Sequence, residues 1–172
     1  MDTPIRMPFM ERRLDNLHLQ KGPQPNGATA FTARSFVKLA SGVLTPCVSA
    51  DTACFGQAPG PSHDSADLPP VSLHANMHWC FDPKDAIFIV NITDASGNVG
   101  QANGAPQLSE VVIGTSYNLL RPTTGTYTGY QMLNVDTTAA PFFKVVGIYP
   151  NQSLSDYNGL VLVKIVESII QA

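Results

Sequence analysis

Hydrophobic and polar residues after position 30 form short runs separated by turn residues, roughly one run in every ten residues, which is the pattern of β-strands. Residues 86–93 are dense in β-branched and aromatic side chains and predict the clearest strand. Further strands are predicted over residues 110–120, 127–135 and 142–148. Residues 160–166 are apolar on both faces at their start, so we expect a last strand that is covered on both sides.

Turn residues divide these strands. Ser41-Gly42 separates residues 36–40 from residues 43–45 and predicts a tight hairpin, and Asn158-Gly159 predicts a turn before the last strand. The proline-rich stretch 57–70 predicts a surface loop. With no helical pattern after residue 30, the sequence predicts an all-β fold that is a β-sandwich or a β-barrel, the jelly roll included.

Residues 1–30 have a different pattern. Met10, Leu14 and Leu17 follow the i, i+4, i+7 spacing of a short amphipathic helix over residues 9–19, and residues 21–27 then break any regular element. We therefore expect an extended N-terminal arm over residues 1–30 and a β-domain over residues 31–172. A frayed terminus is the alternative interpretation of the same segment.

Composition narrows the function. Charged residues are 13% of the chain, about half the usual share, and the net charge is −3 without a basic stripe, so we expect no nucleic-acid partner. The apolar runs are too short for a membrane-spanning helix, and the N-terminus has no secretory pattern. Cys47, Cys54 and Cys80 are then expected to be free buried thiols.

The candidate chemistry is sparse. His74, His78 and Cys80 would share one face of a strand, but no zinc-ligand spacing accompanies them, and we expect no metal. Residues 63–65 read His-Asp-Ser, yet adjacent side chains in a proline-rich loop do not point at one another. The acidic residues lie mostly at strand ends and turns. The sequence therefore predicts neither an enzyme nor a cofactor.

The turn and strand pattern resembles that of the head decoration (cement) proteins of tailed bacteriophages. The segments that carry this resemblance are residues 31–44 (FTARSFVKLASGVL), 55–58 (FGQA), 143–150 (FKVVGIYP) and 158–164 (NGLVLVK). The resemblance implies a non-enzymatic virion protein on the capsid surface, made in the host cytoplasm. Its partners would be the major capsid protein and further copies of itself, often as a homotrimer.

Within that interpretation the N-terminal arm would contact the capsid, through apolar and basic side chains: Phe9, Met10, Arg12, Arg13, Leu14 and Leu17. Two alternatives stay open. One is a carbohydrate-binding module that uses an aromatic platform of Trp79, Phe81 and Phe88, and the other is a tail or head–tail structural component.

Overall fold

The computed structural model of the chain describes residues 1–12, 19–23, 31–41, 43–59, 77–83 and 86–168. The regular structure is nearly all β-strand, with helix limited to 3-10 turns such as Gln101–Asn103 and Leu108–Glu110, which confirms the all-β prediction. The strands in chain order are β1 (Phe9–Arg12), β2 (Leu19–Pro23), β3 (Phe36–Ala40), β4 (Val43–Pro46), β5 (Ala53–Cys54), β6 (Gly56–Gln57), β7 (Met77–Phe81), β8 (Ile87–Thr93), β9 (Ser116–Leu120), β10 (Met132–Asn134), β11 (Pro141–Ile148), β12 (Leu160–Ile165) and β13 (Glu167–Ser168).

Five strands of the largest sheet pair in a closed ring. β8 pairs with β12, β12 with β11, β11 with β9 and β9 with β10, all antiparallel, and β10 returns to β8 in a parallel pairing. β12 pairs with one edge of β8, while β1 and β10 pair with successive parts of the opposite edge. β8 therefore has hydrogen-bonding partners along both of its edges.

A second sheet has the strand order β2-β7-β6-β3-β4, and β13 pairs with β5 in a small parallel sheet. The second sheet meets the ring through Phe36 of β3. The Phe36 ring centroid lies 4.9 Å from that of Phe88, 5.8 Å from that of Phe142 and 5.6 Å from that of Phe143, all at edge-to-face angles. This aromatic group forms the centre of the larger core, where each of the four side chains is fully buried.

Neighbouring residues on a regular strand point to opposite faces, yet Phe142 and Phe143 are both buried. A register shift between Pro141 and Phe143, in the pairing of β11 with β9, accompanies this departure from alternation. The irregularity lets one strand supply two aromatic rings, 4.8 Å apart, to the interior.

Several strand predictions are confirmed. The hairpin of β3 and β4 forms with Ala40 opposite Val43, and Ser41 takes the positive φ of 51° that a tight turn requires. The strands predicted over residues 86–93, 142–148 and 160–166 appear as β8, β11 and β12. The three cysteines are free and buried, as predicted.

Other predictions need correction. The amphipathic helix over residues 9–19 is wrong, because Phe9–Arg12 pairs with β8 and Leu19 begins a strand that pairs with β7. Main-chain pairing with existing strand edges outweighs the weak helical spacing there. The breaker segment is likewise strand as far as Pro23. Gln57, placed in a surface loop, is a buried strand residue of β6, while residues 60–70 lie outside the described part of the chain.

Two predicted strands are shorter than expected. Within residues 110–120 only Ser116–Leu120 is strand, since a turn at Gly114, with φ of 90°, precedes it. Within residues 127–135 only Met132–Asn134 is strand, after turns at Gly125 and Gly129, where φ is also positive. Glycine at a positive φ ends extended pairing at these positions.

Candidate functional site

The structure places the predicted arm residues in part. Phe9, Met10 and Arg12 lie in β1 and pair antiparallel with Ile89, Phe88 and Ile87 of β8. The other three members of the set, Arg13, Leu14 and Leu17, lie outside the described residues. The described part of the arm therefore supplies edge strands to both larger sheets, and its contact with a capsid stays a prediction.

The first residues of the chain are held by main-chain hydrogen bonds to the turn before β12. The Thr3 amide donates to the Tyr157 carbonyl at 3.0 Å, and the Tyr157 amide donates to the Met1 carbonyl at 2.9 Å. The terminal amine of Met1 lies 3.4 Å from the Asp156 carboxylate. Since Met1 is largely exposed, this ion pair adds little to the hydrogen bonds.

Two buried side-chain amides continue this attachment toward β1. Asn91 accepts a hydrogen bond from the Arg6 amide at 2.9 Å and donates to the Pro4 carbonyl at 3.2 Å. Gln57 donates to the Pro8 carbonyl at 3.0 Å. Residues 1–8 thus form part of the folded domain. The spacing of apolar residues could not indicate this, because hydrogen bonds to polar side-chain amides hold the segment in place.

The residues considered for metal binding or catalysis do not assemble a site in the described part of the chain. Cys80 is buried in β7, and burial raises the pKa of its thiol to about 12, which keeps it protonated. His74 and residues 63–65 lie outside the described ranges. Among residues that are described, no group of three His, Cys, Asp or Glu side chains could hold a metal ion.

Four exposed aliphatic side chains lie on segments that main-chain hydrogen bonds join, and we call them the apolar rim: Val112, Ile113, Val146 and Leu154. Val112, Ile113 and Leu154 are each nearly 60% exposed. The Gly114 amide donates to the Val145 carbonyl at 2.9 Å, and the Ser109 amide donates to the Leu154 carbonyl at 2.9 Å, which connects the segments that carry the rim. The apolar rim therefore exposes aliphatic side chains from three connected segments.

An open depression of about 310 Å³ lies beyond the end of β9. Its lining combines one cation, several hydroxyls and short apolar side chains: Ser49, Ala95, Ser96, Leu120, Arg121, Pro122, Thr123 and Thr124. Sequence reasoning missed this group, because its members come from three separate turns and none belongs to a recognised motif.

Comparison with known proteins gives no relative, since no family model, no curated protein and no solved structure matches the chain. In the ranges that the structure describes, no helix is long and apolar enough to cross a membrane.

Proposed function

We propose that this chain is a non-enzymatic virion structural protein that decorates a phage capsid and stabilises it by binding between major coat protein subunits. The observation that supports the proposal is the apolar rim, which exposes aliphatic side chains to solvent on segments joined by main-chain hydrogen bonds. A protein that acts through contact area needs such a surface and needs no assembled catalytic group.

The rim has the composition of a protein contact. Burying a large aliphatic side chain stabilises an association by roughly 1.5–3 kcal/mol. Because Val112, Ile113 and Leu154 are each more than half exposed, their burial would supply roughly 3–5 kcal/mol per copy. Repetition over a symmetric lattice, and association of copies into a homotrimer, would multiply this modest energy.

Polar residues flank the rim. Glu110 is exposed at the start of the segment that carries Val112, and Lys144 is exposed on β11 two residues before Val146. Apolar cores with a charged perimeter are typical of specific protein contacts. The low charge of the whole chain agrees with extensive contact of this kind.

Copy number in the virion tests the proposal directly. Quantitative mass spectrometry of purified virions from the source should give a simple lattice ratio of this protein to the major coat protein. A few copies per particle would assign the protein to the tail or the connector. Its absence from virions would overturn the proposal.

Substitutions in the apolar rim test the contact. Val112→Asp combined with Ile113→Asp should abolish cosedimentation with capsids that lack the protein, while leaving the melting temperature within a few degrees. Thr138→Asp, at an exposed position outside the rim, is the matched control and should bind normally. Deletion of residues 1–25 is unsuitable, because it would remove β1 and β2 from their sheets.

A further inference from the structure

Arg121 is a partly buried cation whose guanidinium has no ion-pair partner among the residues that the structure describes. It follows β9, and its backbone amide donates to the Ser49 hydroxyl at 3.1 Å. Its Nε is shielded from solvent and makes no hydrogen bond, and its guanidinium forms no ion pair with any residue that the structure describes. Burial lowers the pKa of Arg121, yet an arginine remains charged at neutral pH. Because Arg121 is only partly buried and lines the depression, its charge is available to an anion that enters there.

Besides Arg121, the walls of the depression carry hydroxyl groups and apolar side chains that suit an anionic ligand. Ser96, Thr123 and Thr124 line it with hydroxyl groups that form no hydrogen bond within the described ranges. Leu120 and Pro122 make one apolar wall, with carbon atoms close to Gly97. One cation, several hydroxyl donors and a small apolar wall match an oxyanion attached to a short carbon chain.

Two carboxylates near the depression favour a single negative charge in the ligand. Asp136 accepts a hydrogen bond from the amide of Ala95, a lining residue, at 2.8 Å, and Asp94 accepts one from the Ser96 amide at 3.1 Å. Among the described residues neither carboxylate forms an ion pair with Arg121, and both accept hydrogen bonds from backbone amides. Their charge would repel a dianionic phosphate more strongly than a monoanionic carboxylate.

We propose that this depression is a carboxylate-binding site in which the Arg121 guanidinium holds the carboxylate and the hydroxyls of Ser96 and Thr123 complete its hydrogen bonds. The planar guanidinium matches the two oxygens of a carboxylate. The carboxylate belongs either to a small free acid or to an Asp or Glu side chain of a second copy of this chain. The site is independent of the apolar rim.

An NMR titration with sodium acetate tests the site, since the shielded Nε–H of Arg121 gives its own cross-peak. At constant ionic strength, this cross-peak and the Ser96 and Thr123 amides should shift along a saturable curve with acetate. Sodium chloride should not produce these shifts, and phosphate at pH 8 should produce them with lower affinity. Shifts that do not saturate, or that chloride reproduces, would overturn the proposal.

Variants separate the site from general charge effects. Arg121→Met should remove the saturable shifts of the Ser96 and Thr123 amides, and Arg121→Lys should weaken binding by about tenfold, because it keeps the charge but loses the paired donors. Arg6→Met is the matched control, since the Arg6 side chain is exposed, and it should bind acetate normally. Equal acetate binding by Arg121→Met and wild type would refute the assignment.

Sedimentation equilibrium with and without acetate distinguishes the two sources of the carboxylate. If acetate lowers the molecular mass in the wild type but not in Arg121→Met, the carboxylate comes from a second copy. If acetate binds by NMR and leaves the mass unchanged, the site takes a free acid. Both results uphold the carboxylate site and leave the capsid proposal to its own tests.

Discussion

Gln131, directly before β10, joins the ring of strands to the second sheet. Its side chain is fully buried and lies between the ends of β3 and β4. Its Oε1 accepts a hydrogen bond from the Phe36 amide at 2.6 Å, and its Nε2 donates to the carbonyls of Phe36 and Cys47, each at 2.9 Å. The Cys47 amide donates directly to the Phe36 carbonyl. The Phe36 amide and the Cys47 carbonyl, in contrast, are linked only through the Gln131 side chain.

Gln131→Leu keeps the approximate volume and removes the bridge. The Phe36 amide and the Cys47 carbonyl would then stay buried without a partner, whereas the Phe36 carbonyl would keep its bond from the Cys47 amide. Each orphaned buried group costs about 1–3 kcal/mol, so we expect a loss of about 4 kcal/mol in the free energy of unfolding. That is a large fraction of the 5–15 kcal/mol that is typical of a domain.

Urea denaturation, followed by circular dichroism, measures this loss. Gln152→Leu is the control, because Gln152 brackets the amide and carbonyl of Leu160 in the same way, at 2.8 and 3.0 Å, but is half-exposed. Water can replace its hydrogen bonds, and we expect a loss of only about 1 kcal/mol there. With an unchanged m-value, equal losses for the two variants would refute the argument that burial sets the cost.

Three further predictions concern the interior. Gly159→Ala would place its Cβ 2.2 Å from Cγ of Leu108 and should lower the free energy of unfolding by about 3 kcal/mol. The double variant with Leu108→Ala should lose less stability than the sum of the two single variants, as measured by thermal unfolding. Thr45→Val removes a buried hydroxyl that has no hydrogen-bond partner within the described ranges and should be neutral or stabilising, whereas Thr93→Val breaks a 3.3 Å hydrogen bond and should cost about 1 kcal/mol. Urea midpoints that rank the two variants the other way would contradict this. Burial raises the pKa of Cys80 from 9.0 to about 12, so the protonated thiol stabilises the fold below pH 9. The free energy of unfolding, measured by urea denaturation, should fall as the pH rises from about 9 to 12, and it should fall less steeply in Cys80→Ala.

Sequence reasoning succeeded where a pattern was long and local. β8 and β12 combine apolar density with clear turns at their ends, so their extended structure follows from composition alone. The helix predicted from Met10, Leu14 and Leu17 was wrong because the spacing of apolar residues cannot reveal that a strand edge elsewhere in the fold is available for pairing. Met10 pairs with Phe88, which lies far away in the sequence.

The buried polar residues could not be predicted from sequence patterns. Asn91, Gln131 and Asn158 are buried, although their types are ordinarily exposed. Asn158, for example, takes a φ of 50° and bonds the Gly100 amide at 2.7 Å, while also donating to the carbonyls of Ile92 and Asn98. These partners become neighbours only when the strands close, and the same holds for the residues around Arg121.

The closed ring has a consequence for synthesis of the chain. Val90 of β8 pairs with Val161 of β12, which the ribosome makes about seventy residues later, so one edge of β8 lacks its partner during that interval. The β8 sequence, Ile-Phe-Ile-Val-Asn-Ile-Thr, is uncharged and strongly β-forming, and such segments associate with one another when exposed. A nascent chain therefore exposes its most aggregation-prone strand before β12 can cover it, and high-level expression should benefit from a chaperone that shields β8 until β12 has been made.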